Sequence, residues 1–215
     1  RRCAREFAEL VGTDPWLIDP AFRNCGQIDF QKQSGLECLV ENVAAVLAET
    51  RAKYREYGID QEPFAIVKAD AGTYGMGIMT VKRPEEVREL NRKQRTKMAH
   101  AKEGQPVTNA LVQEGVYTFE TWGESRAVAE PVVYMIGAFV IGGFYRVHTE
   151  RGTDENLNAP GMHFEPLAFA QTCTYPETKP AIATAPNRFY VYGVIARLAL
   201  LAAARELKEV ARDTE

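Results

Sequence analysis

The chain has no C-x-x-C pair, no G-x-x-x-x-G-K-[ST] loop, and no apolar run near the roughly 18 residues a membrane helix needs. Each absence removes a class. The four cysteines (Cys3, Cys25, Cys38 and Cys173) are scattered without zinc-ligand spacing. They read as free thiols in a reducing, cytoplasmic setting. Charge of one sign is also missing: 26 Lys and Arg stand against 29 Asp and Glu, a net −3. Nucleic acid and anionic membranes would find no broad basic surface, so neither is an expected partner. Basic residues do cluster over 82–102, but acidic ones are interspersed, and a solvated helix face accounts for the run. No internal repeat or low-complexity segment is present.

What is there suits a folded protein of ordinary make-up. With 215 residues, 46% of them hydrophobic and 26% charged, the chain can bury a sizeable core. It begins Arg1-Arg2-Cys3 without methionine, helical in pattern from the start and closed by Gly12, and reads as the later part of a longer protein. After a loop punctuated by Pro15 and Pro20, a long amphipathic helix is expected beyond Gly35. Leu36, Leu39, Val43, Val46 and Leu47 recur there at three- and four-residue steps, and Gly58 stops it. A further helix is expected to open at Arg83-Pro84-Glu85-Glu86 and run to Lys102, with proline at a first-turn position. Strands are expected over 109–116, 129–136 and 138–147, the last two joined near Gly137, and a final helix over about 187–213. Residues 151–161 and 172–186 read as irregular.

The most informative stretch is IVKADAGTYGMGIMTV, residues 66–81. An apolar strand ends at Lys68, Gly72, Gly75 and Gly77 follow in a turn, and Ile78 to Val81 resume a strand. Glycine lets backbone N–H groups approach phosphate oxygens, and the lysine adds a point charge. The lysine precedes the glycines, so this is not a P-loop. GTYGMG is spaced G-x-x-G-x-G and is followed by a strand, so it is not a dinucleotide fingerprint either. A nucleotide-phosphate lid and an ordinary glycine-rich hairpin both remain open on this stretch alone.

Three further strings stand after it in order: VQEGV at 112–116, GGFYRVH at 142–148, and ENLNAPG at 155–161. That order resembles the ATP-grasp superfamily, and AEPVVYMIG and ENLNAPGMHFEPL look closer still to the bacterial ATP-grasp type of glutamate–cysteine ligase. The resemblance implies an α+β fold of antiparallel sheets with flanking helices and a glycine-rich phosphate lid. It divides the chain into a lead-in (1–62), a small lid-bearing subdomain (63–116) and a C-terminal subdomain (117–215). It implies ATP and Mg²⁺ as cofactors and small-molecule substrates, glutamate and cysteine. In the implied reaction the γ-carboxylate of glutamate is activated as an acyl phosphate and captured by the amine of cysteine. Another ATP-grasp carboxylate–amine ligase, glutathione-synthetase-like or polyglutamylating, stays open, as does a non-catalytic nucleotide-binding fragment. Monomer and homo-oligomer are equally open.

The resemblance also distributes roles. Lys68 meets the phosphates, and Gly72, Thr73, Tyr74, Gly75 and Gly77 form the lid, which excludes water from a hydrolysable intermediate. Gln113, Glu114 and Val116 belong to the hinge that meets adenine, and Glu120 is the ribose candidate. Arg146 closes an apolar strand, a costly place for a charge without an anionic partner, and the transferring phosphoryl would be one. Glu130, Asn156 and Asn158 are the candidate Mg²⁺ ligands, since hard oxygen donors suit that ion. His148 and His163 have no evident nucleophile beside them and read as structural or substrate-orienting.

Overall fold

The structure, a computed structural model, describes residues 1–70, 77–100, 106–166 and 188–212. It is α+β, with two four-stranded antiparallel sheets and flanking helices, as the sequence led us to expect. The chain divides into two compact units.

The first unit comprises Pro20–Phe119 and Glu150–Pro160. Its sheet has the order β1 (Phe22–Cys25), β4 (Ala110–Glu114), β2 (Ala65–Ala69), β3 (Ile78–Val81). Both inner strands alternate strictly: Ala65, Val67, Ala69, Ala110, Val112 and Glu114 are buried, and the residues between them are half-buried on the opposite face. The buried face packs on α2 (Leu36–Tyr57), whose Leu39, Val43, Val46 and Leu47 sit at helical spacing and are buried with it. Thr50, on the same stripe, returns its hydroxyl to Val46 O at 2.9 Å and so costs the core little. Gly58 ends α2 in the left-handed conformation.

Two expectations need correction in this unit. The helix expected from residue 83 to 102 is broken. Pro84–Val87 forms one 3₁₀ turn, and α3 (Arg92–Ala99) starts anew at Asn91. The reason is a capping box: Asn91 accepts from Gln94 N, and Gln94 Oε1 accepts from Asn91 N, both at 2.9 Å. Nor are Cys25 and Cys38 free thiols. The chain between them folds back so that their Cα atoms lie 6.1 Å apart, and the sulfurs are joined in a disulfide.

The second unit comprises Arg1–Asp19, Glu120–Thr149 and Gly161–Glu215. Its sheet runs β5 (Thr121–Trp122), β6 (Ala127–Ile136), β7 (Phe139–His148), β8 (His163–Pro166), a meander with Gly137 in a left-handed turn between β6 and β7. Ala127, Ala129, Tyr145 and Val147 form its core. Helices α1 (Arg2–Val11) and α4 (Arg188–Arg212) are tied by Arg205–Glu6 at 2.7 Å and Arg2–Glu209 at 3.0 Å. Three short edge strands, β1, β5 and β8, were not anticipated. The lid residues Gly72, Thr73, Tyr74 and Gly75, the irregular stretch 172–186 and Cys173 lie outside the described residues.

Gly115 follows β4 where the backbone passes the buried Phe64 ring. Its N–H donates to Phe64 O at 2.9 Å, and a Cβ at residue 115 would stand 2.0 Å from that ring. Gly115→Ala therefore forces a core aromatic out of place. We expect a loss of about 1–3 kcal/mol, read as a lowered urea midpoint. An unchanged midpoint would mean the ring has room to move.

Candidate active site

The face of the first sheet turned away from α2 carries Ile66, Lys68, Leu111 and Gln113. Antiparallel register sets Lys68 opposite Leu111 and Ile66 opposite Gln113, so Lys68 and Gln113 are diagonal neighbours. Lys68 Nζ donates to Gln113 Oε1 at 2.7 Å. Burial holds the Lys68 ammonium below its ordinary value, and no carboxylate pairs with it among the described residues. A half-buried cation satisfied by a neutral amide is under-neutralised, and an anion on this face would relieve it. The site sits at the root of the glycine-rich turn: Ala69 N donates to Gly77 O at 3.0 Å and Asp70 N to Asn109 O at 3.1 Å. Gly77 is left-handed, and a Cβ there would come 3.1 Å from that of Ala69.

One strand further, a cavity of about 770 Å³ opens within the same unit, a size suited to a small ligand. Ile78, Met79 and Thr80 of β3 form one wall and Gln94, Lys97 and His100 another. Arg151, Glu155, Asn156 and Asn158 form a third, from the loop expected to be irregular. That loop is held by its own polar groups. Asn158 N donates to Asn156 Oδ1 at 2.9 Å and Gly152 N to Glu155 Oε2 at 2.7 Å, while Leu157 is fully buried beneath. The Gly152 N–H, and then Arg151, hold the Glu155 carboxyl below the usual range. Lys82 Nζ reaches Asp154 at 2.9 Å and Thr118 N reaches Thr153 O at 2.8 Å, fastening the loop to the unit. Lys97, His100 and Arg151 were not anticipated as cavity residues. In the sequence alone the run 82–102 reads as a solvated helix face. The Asn91–Gln94 cap was the signal that could have placed a short helix there, with Met98 and Ala99 turned inward.

The remaining candidates are placed as follows. Glu114 is buried and accepts from Ala21 N at 2.9 Å, and its own N–H goes to Ala21 O, so it anchors the start of β1. Val116 is exposed. In the second unit Glu120 is buried and accepts from the phenols of Tyr145 and Tyr192. Glu130 and Arg146 are cross-strand partners on β6 and β7, with Nη1 3.3 Å from Oε2. The buried Nε of Arg146 has no hydrogen-bond partner among the described residues. His148 is buried, and His163 Nε2 lies 3.6 Å from Glu165.

Among the described residues no group of three His, Cys, Asp or Glu is arranged to hold a metal ion. Glu130 already faces a guanidinium, and Asn156 Oδ1 already accepts a backbone N–H.

Burial raises the Glu130 carboxyl above its ordinary 4.5, while the charge and hydrogen bond of Arg146 oppose the shift. Between the ordinary and the raised value the folded state keeps a proton that the unfolded chain has released. The associated stability is therefore fully present below the ordinary value and is lost as pH rises through the raised one. Glu130→Gln has no such proton, and we expect its stability to vary less over that window in urea titrations. Identical slopes in the two proteins would show that Glu130 titrates alike folded and unfolded.

A family model described as glutamate-cysteine ligase (GshA) matches residues 1–207. A crystal structure from Methylobacillus flagellatus KT, of a protein provisionally assigned as a gamma-glutamylcysteine synthetase, superposes with a TM-score of 0.83 at 62% identity. The match covers 97% of this chain and 49% of that one, so the chain spans about half the length of that relative. Among curated proteins none matches.

Proposed function

The chain belongs to the glutamate–cysteine ligase family, and from that premise we propose that it forms part of an ATP-dependent ligase joining the γ-carboxylate of glutamate to the amine of cysteine. We read the fold as ATP-grasp and residues 66–81 as its phosphate lid. The observation that carries this reading is Lys68, a half-buried ammonium at the root of the glycine-rich turn with only Gln113 as its partner among the described residues. The α- and β-phosphates supply the anion that such a cation lacks.

The γ-phosphoryl group passes to the glutamate carboxylate, giving an acyl phosphate and ADP. The neutral amine of cysteine then attacks the carbonyl carbon, phosphate leaves with the bonding pair, and the amine proton is lost to solvent or base. Lys68 neutralises charge on the triphosphate. Arg146, whose buried Nε has no hydrogen-bond partner among the described residues, is the cation assigned to the phosphoryl in flight. Arg151, Asn156 and Asn158 offer the cavity a donor-rich wall suited to an amino-acid carboxylate. Mg²⁺ would accompany ATP in this chemistry, and Glu130, Asn156 and Asn158 are the oxygen donors assigned to it. We place the protein in the cytoplasm on the same reading.

ATP binding is tested by thermal unfolding with and without saturating MgADP. A ligand at 100 times its Kd adds about 2.7 kcal/mol, and each kcal/mol moves the midpoint of a domain this size by about 2–4 °C. We expect a rise of several degrees that Lys68→Ala abolishes. The full-length protein should then release ADP only with glutamate and cysteine both present. ADP release that persists when cysteine is omitted would point to another ligase of the group, and no shift in either protein would sink the nucleotide site.

A further inference from the structure

The disulfide between Cys25 and Cys38 has no part in the chemistry above, and its surroundings are built for more than a staple. Cys25 is the last residue of β1 and buried. Cys38 is half-buried in the first turn of the 22-residue α2. Asn42, one helical turn on, places Nδ2 2.9 Å from Cys25 Sγ and 3.4 Å from Cys38 Sγ. A helix N-terminus favours a thiolate, so Cys38 is the accessible nucleophile and Cys25 the resolving thiol.

The bond closes the loop 26–37, which is folded tightly and under backbone strain. Gln27 and Gln33 are non-glycine residues at φ 58 and 56, and a Cβ at Gly35 would stand 2.5 Å from Gln27 O. Ile28 and Phe30 plug into the core. The loop's base rests on the approach to β4: Ile28 N donates to Thr108 O at 2.9 Å, and a Cβ at Gly26 would lie 3.1 Å from Asn109 Oδ1. Asn109 O in turn accepts from Asp70 N, the last described residue before the glycine-rich turn.

We propose that Cys25 and Cys38 form a reversible exchange site for low-molecular-weight disulfides, and that oxidation locks loop 26–37 onto the residues that anchor the glycine-rich turn. Cys38 thiolate attacks one sulfur of the small disulfide and expels a thiolate. Cys25, deprotonated, then attacks Cys38 Sγ and expels the second. Two protein thiols and one small disulfide become one protein disulfide and two small thiols, with no further reductant or oxidant. In reducing compartments, disulfides that do form are usually catalytic or redox-sensing, which suits an exchangeable pair rather than a permanent one.

The test equilibrates the intact protein with glutathione at graded ratios of reduced to oxidised form, quenches with acid, alkylates and counts thiols by peptide mass. A single two-electron transition at the Cys25–Cys38 peptides is expected, fully reversed by dithiothreitol. Cys25→Ser should accumulate a glutathione adduct at Cys38, whereas Cys38→Ser should leave Cys25 unmodified. Hydrogen exchange should slow at least tenfold across residues 26–37 in the oxidised form. A pair that stays reduced at every ratio overturns the proposal. So does one that resists dithiothreitol in the folded protein, or equal exchange in both forms. Neither readout uses catalysis, so the outcome is independent of the ligase reading.

Discussion

The pairing of β2 with β4 is the constraint on which the first unit depends. Side chains in a strand alternate, so one register decides which residues enter the core and which face outward. With Val67 opposite Val112 and Lys68 opposite Leu111, the valines meet α2, and the lysine shares the other face with Gln113. A slip of one residue in β2 would drive an ammonium into a core of Leu39, Val43 and Val46. Burying an unpaired charge and exposing the valines would both cost free energy, so the lysine enforces the register together with the apolar residues. The same pairing ends β2 at Ala69, whose N–H donates to Gly77 O.

Charged groups elsewhere differ in how fully the fold itself satisfies them. Glu114 spends its carboxylate on the Ala21 N–H, and Glu120 spends its own on two phenols. Both are buried among donors that the fold itself supplies, which is how a carboxylate is kept inside without a ligand. Lys68 and Arg146 differ. Among the described residues the first has a neutral acceptor, and the second has a partner for one nitrogen while its buried Nε has none. Incompletely satisfied cations at half-buried strand positions are destabilising in themselves, and that imbalance is what an anionic ligand would correct.

Much of the fold was legible because its signals are local. The apolar spacing of Leu36, Leu39, Val43 and Leu47 marked α2, Gly12 and Gly58 marked helix ends, and β-branched density marked β6 and β7. The short edge strands were not legible. Phe22–Cys25, Thr121–Trp122 and His163–Pro166 hold two to four residues each, too few to display alternation, and they exist because a longer neighbour offers hydrogen bonds. The pairing of Cys25 with Cys38 was illegible for a related reason. A separation of 13 residues says nothing until a strand end and a helix start are brought together by the packing of Ile28 and Phe30. Of the candidate site, Lys68 was readable from its place before the glycines, whereas its Gln113 partner needed the register.

The loop 150–160 shows where chain order misleads most. Its sequence neighbours β7 and β8 pair with each other in the second sheet, yet the loop itself belongs to the unit of the first. What holds it there is a set of contacts spread over the chain: Lys82 with Asp154, Thr118 with Thr153, and the burial of Leu157. An exposed ion pair contributes at most about 1 kcal/mol, so the buried leucine and the backbone hydrogen bond do more to fix the loop than its charges. Arg151, Asn156 and Asn158 are thus positioned by an apolar residue between them, and a polar motif such as ENLNAPG owes its place in the cavity to the one side chain in it that no ligand would touch.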